Sequence, residues 1–85
     1  MTDSELIRIG DNGVESSDSW SVSLVGADWI EYSTGEAACL VNVDYSAKYQ
    51  ARQVHASESR SELFPHLREH LRAALRMMQG RYVVV

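Results

Sequence analysis

The stretch SWSVSLVGADWIEYSTGEAACLVNV, residues 19–43, decides the fold. Trp20, Val22 and Leu24 alternate with Ser19, Ser21 and Ser23. A period of two with one apolar face is the pattern of a half-buried β-strand. The sequence VGAD supplies a turn. In the strand that follows, Ile30 and Tyr32 alternate with Trp29 and Glu31. STGE supplies the next turn, with Gly35 as its flexible position. AACLVNV is apolar on both faces, as expected of a central strand. Connections this short between successive strands predict an antiparallel meander.

Working outward, LIRIGDNGVE reads as a hairpin with a strand at residues 6–9. Asn12-Gly13 supplies the positive-φ positions of a type I′ turn. The return strand around Val14 reads as weak, because ESSDS soon follows as loop. KYQARQVHA is a further strand in which Tyr49, Ala51 and Gln53 alternate with Gln50, Arg52 and Val54.

At SESRSELFPHL the period becomes helical. Ser59 and Glu62 have capping-box spacing, and Pro65 suits a first helical position. Gly80 suits the left-handed residue after a last turn. The helix is expected over residues 61–79. With Leu67 at zero on the helical wheel, Leu63, Leu71, Ala74 and Met78 fall within about 40°, with Phe64 and Leu75 at the stripe's edge. RYVVV then closes the chain as a short, apolar strand that must dock in the sheet beside an inner or parallel neighbour.

The expected class is therefore α+β. An antiparallel meander of four to six strands carries one long C-terminal helix packed on one face, and a short final strand returns to the sheet. At 85 residues the chain is read as one domain, mainly β over 1–58, helical over 61–79 and extended over 81–85.

Composition limits the classes of function. The chain has one cysteine, Cys39, so no intrachain disulfide can form, and its apolar runs of four or five residues are too short to span a membrane. No apolar run suited to a cleavable signal opens the sequence, so a cytoplasmic location is expected. From the arginine-rich helix and its Ala-Leu-Arg usage a bacterial source is expected. Charge is segregated. Residues 1–44 carry nine acids against Arg8, a net charge of −8, whereas residues 45–85 carry a net +4. Such asymmetry bears on association.

Few residues suggest chemistry. HLREH, residues 66–70, has the H-x-x-E-H spacing of a reversed zinc-hydrolase helix, with His66 and His70 as ligands and Glu69 as base. Two histidines at i and i+4 can reach one metal ion. A third ligand must come from the sheet, with His55 and Asp44 the candidates, because only 15 residues follow His70 and none is acidic. The pair is read as a helix boundary without a metal, and no cofactor is expected. Cys39, in AACLV, is read as a buried structural thiol. GDNG has too few carboxylates for a calcium loop.

Arg68, Arg72 and Arg76 recur every fourth residue as a ridge on the opposite flank of the helix. They are read as a solvated face or as a docking ridge for an acidic partner. Nucleic acid is not an expected partner, because the domain is acidic and its tryptophans stand beside acids. With one helix over the sheet, the other sheet face meets water. Trp29 lies opposite Ile30 and Tyr32, so one of these sides is exposed. Trp29 is read as a partly covered surface residue or, on the open face, as an interaction anchor. The expected function is thus a non-enzymatic protein–protein interaction module of inhibitor or immunity type. A homo-oligomeric structural protein is the alternative, and a small zinc hydrolase using His66, Glu69 and His70 is the third reading.

Overall fold

The computed structural model describes residues 5–10, 12–56, 64–78 and 80–85. Among the described residues, seven strands form one curled sheet in chain order, with a single α-helix across one face. The strands are β1 (Leu6–Ile9), β2 (Gly13–Ser16), β3 (Ser21–Val25), β4 (Trp29–Ser33), β5 (Ala38–Ser46), β6 (Ala51–Val54) and β7 (Tyr82–Val84), and helix α1 is Leu67–Met77. Neighbours from β1 to β6 pair antiparallel, and β6 pairs with β7 in parallel. The expected α+β class and the returning final strand are both present. The antiparallel meander has six strands, β1 to β6, within the four to six expected, and β7 is the final strand added to it.

Alternation decides the two faces. Val14, Val22, Ile30, Tyr32, Val41, Val43 and Val54 point inward and meet Phe64, Leu67, Leu71, Ala74, Leu75 and Met78. Burial of these side chains, each worth about 1.5–3 kcal/mol for a residue the size of Val or Leu, is what seats the helix. The same register places Glu15, Ser21 and Ser33 in one row on the other face, and Ser23, Glu31 and Leu40 in the next.

Three local readings change. First, the β1–β2 turn uses Gly10, at φ +63°, and not Asn12-Gly13. Gly13 pairs with Ile9 inside the ladder, where an added Cβ would lie 3.3 Å from the Ile9 carbonyl oxygen. Second, β2 is no weak return strand. Val14 is fully buried, and Ser16 keeps its place by donating its N–H to the Trp20 carbonyl at 2.8 Å. Third, β5 is covered on one face only, because Leu40 on its outer side is 53% exposed.

The helix is shorter than the 61–79 expected. Residues 64–66 form its entry, closed by a 3.1 Å bond from the Leu67 N–H to the Phe64 carbonyl. The capping-box pair Ser59 and Glu62, together with Leu63 and Gln79, lie outside the described residues. His66 takes the N-cap position without a side-chain bond. Met78 ends the helix by turning extended (φ −89°, ψ 153°), and Gly80 at φ +112° leads into β7. Among the described residues, no helix is long and apolar enough to cross a membrane.

Candidate functional site

The wheel positions give α1 two unlike flanks, one with histidines and one with arginines. His70 leans on the sheet at the start of β3. Its ring stacks on the Trp20 indole at 4.1 Å between centroids, with 8° between planes. The Tyr32 hydroxyl lies 2.7 Å from His70 Nδ1. With the phenol assigned as donor and Nδ1 as acceptor, the imidazole proton is on Nε2. Phe64 closes the group with an edge contact to Tyr32 at 5.6 Å.

Two turns hold these rings. After β2 the chain reverses over residues 16–20, with Ser19 left-handed at φ 70° and the Ser16 hydroxyl accepting the Asp18 N–H at 3.0 Å. After β4, Thr34 Oγ1 accepts the N–H groups of Glu36 and Ala37, a side-chain mimic of a backbone turn. Between these turns and the helix entry lies a cleft of about 370 Å³, whose walls include Trp20, Tyr32, Phe64, Pro65, His66 and His70.

Electrostatics keep this group neutral. Burial lowers the pKa of His70, with the neighbouring His66 acting in the same direction; Glu69 and Asp18 oppose them. Burial raises the Tyr32 pKa, with a further contribution from Cys39. Trp20 is buried, and its Nε1 has no hydrogen-bond partner among the described residues.

The two histidines of HLREH therefore have different surroundings. His66 is exposed and lies 3.5 Å from Glu69 through Nδ1, while His70 gives its Nδ1 to Tyr32. Their ring centroids stand 5.6 Å apart. The proposed third ligands contact each other instead: His55 Nε2 is 3.2 Å from Asp44 Oδ2. Among the described residues, no group of three or more His, Cys, Asp or Glu side chains is placed to hold a metal ion. Cys39, half-buried opposite Tyr32, has its pKa pushed up by burial, which favours the inert thiol over the thiolate.

Arg68, Arg72 and Arg76 are exposed on the other flank and form no ion pair among the described residues. Trp29 lies on the face turned away from the helix and is 44% exposed, which settles the side that alternation had left open. It shares that face with Ile7, Ile9, Val25 and Leu40, each more than two-fifths exposed. Val25 is its cross-strand partner on one side and Asn42 on the other. Glu15, Glu31 and Asp44 lie on the same face and are exposed.

The Trp20–Tyr32–His70 group was missed at the level of sequence. Its signal was present in parts: two aromatics at inward strand positions, and a histidine bordering the helix stripe. The acidic and apolar sheet face is thus set against a basic helix across the thickness of the molecule. Comparison of the chain with family models, with curated proteins and with solved structures finds no match.

Proposed function

We propose that this chain is a protein-binding module that caps a basic partner surface through the uncovered face of its sheet, as small inhibitor and immunity proteins do. One observation carries this reading. Five large apolar side chains, Ile7, Ile9, Val25, Trp29 and Leu40, are exposed on one sheet face and interspersed with Glu15 and Glu31. Val25, Trp29 and Leu40 group on β3 to β5, and Ile7 and Ile9 stand on β1 with Glu15, Ser23 and Glu31 between them. Exposed apolar surface rimmed by polar residues marks interaction sites in soluble domains. Acids around an apolar centre would steer a cationic partner and supply its polar rim. Trp29 is the natural anchor, since tryptophan is enriched among residues whose truncation costs more than about 2 kcal/mol of binding.

The test uses three baits in capture from the source cell: the native chain, Trp29→Ser with Leu40→Ser, and Arg72→Glu. All three substituted positions are exposed, so circular dichroism should report an unchanged fold. Loss of the captured protein with the sheet-face bait and its retention with Arg72→Glu is the expected result. The reverse pattern would move the interface to the helix.

The segregation of charge between opposite faces favours a second reading, in which the acidic sheet face of one copy meets the arginine ridge of the next. Such a contact is heterologous and closes into a ring or continues as a filament. It predicts a mass by light scattering that grows with concentration and shrinks with salt.

A further inference from the structure

The sheet ends on β7, and the arginine flank of α1 looks out over that edge. We infer that the free edge of β7, together with Arg72, Arg76 and Arg81, is a second binding site, for an extended acidic peptide of a partner protein added as an eighth strand. The site does not depend on the open sheet face.

The backbone supplies the first half of the argument. β7 is the last strand in the sheet order, so among the described residues only β6 is paired with it. Arg52 donates its N–H to the Arg81 carbonyl at 2.9 Å, and Val85 donates to the Val54 carbonyl at 2.9 Å. In a parallel ladder, alternate residues of a strand address the same neighbour. Residues 81, 83 and 85 therefore face β6, and the N–H and C=O groups of Tyr82 and Val84 point to the open edge. These groups are a template for another strand.

Side chains supply the second half. A groove of about 490 Å³ runs between α1 and β7, with Arg72, Arg76 and Arg81 along it and Leu75, Met78 and Tyr82 among its lining. Three guanidinium groups here meet no carboxylate in an ion pair among the described residues. Arg68 continues the same flank one helical turn earlier. A strand added to β7 directs every second side chain toward the helix side of the sheet. Carboxylates at those positions would reach the arginines, and arginine pairs with carboxylates in bidentate, charge-assisted hydrogen bonds. The two features together select an extended peptide with acids at alternate positions. A charged ridge alone would not ask for a free strand edge.

The probes are end-blocked decapeptides alternating Glu with Thr, tested on the full chain by calorimetry and by amide NMR shifts. The Glu-Thr peptide is expected to bind and to shift the Tyr82 and Val84 amides, while a Lys-Thr peptide does not bind. Methylating the amide nitrogens in one alternate set should weaken binding about tenfold and in the other set hardly at all, because only one set faces β7. Arg72→Glu with Arg76→Glu should remove binding, whereas Trp29→Ser should leave it unchanged, which separates this site from the sheet-face interface. No binding of the Glu-Thr peptide, equal effects of the two methylated sets, indifference to the arginine changes, or equally strong competition by a single-stranded oligonucleotide of the same charge would each overturn the proposal.

Discussion

The two flanks of α1 are built on one spacing and behave in opposite ways. His66 and His70, like Arg68, Arg72 and Arg76, recur every fourth residue. On the histidine flank the sheet rises to meet the helix, and Trp20 and Tyr32 draw His70 into a neutral, stacked group. On the arginine flank the sheet runs out at β7, and the guanidiniums stay in water. Helical period therefore sets which residues share a flank, while the sheet's extent beneath them sets whether the flank is structural or available to a partner.

The sharpest way to break this contrast is to empty one flank. Trp20→Ala removes the ring under His70 and should cost about 3–5 kcal/mol, enough to unfold a domain of this size in mild denaturant. Arg72→Ala with Arg76→Ala should stay within about 0.5 kcal/mol of the native chain in the same urea titration. Comparable losses on both flanks would remove the distinction.

A smaller effect tests the polar contact. Tyr32→Phe keeps the ring and deletes the donor to His70 Nδ1. The expected loss is about 1–2 kcal/mol, since a half-buried acceptor is left without its partner. His70→Phe in the same background should then cost little more, because the two side chains act as one unit.

The smallest effect is in pH. The His70 pKa is lowered in the folded chain, so the unfolded chain binds the proton more readily. Stability from this residue is whole above the ordinary histidine value of about 6.5 and is lost as pH falls from there through the lowered folded value. Carboxylates add their own acid dependence, so the measurement is a difference. Urea midpoints of the native chain should fall more than those of His70→Gln between pH 7.5 and the acid side of that window. Parallel midpoints would show that His70 is not held neutral.

Much of the fold was legible because the forces that set it are local. Serine–hydrophobe alternation in residues 19–24, the turns at 26–28 and 34–37, and the leucine stripe at Leu67 and Leu71 each declare an element within a few residues. The helix length was less legible, since Pro65 and the capping-box residues suggest several starting points and packing chooses among them. Asn12-Gly13 resembled a hairpin turn by composition, yet Gly13 lies in the ladder, where a Cβ would crowd the Ile9 carbonyl oxygen. The stacked histidine was illegible for another reason. Joining Trp20, Tyr32 and His70 requires the register of β3 on β4 and the seat of the helix on both, and neither is written in a local period. For the same reason, His66 and His70 looked like a pair until the sheet separated their surroundings.

The parallel pairing of β7 with β6 has a kinetic consequence. Strands β1 to β6 can zip together hairpin by hairpin, each closing only a short loop, whereas β7 can dock only after residues 55–81 have looped back. Closing that long loop carries the largest chain-entropy cost in the topology. The final rung of the ladder should therefore be the last to form and the first to open, and the arginine-lined margin should come and go with it.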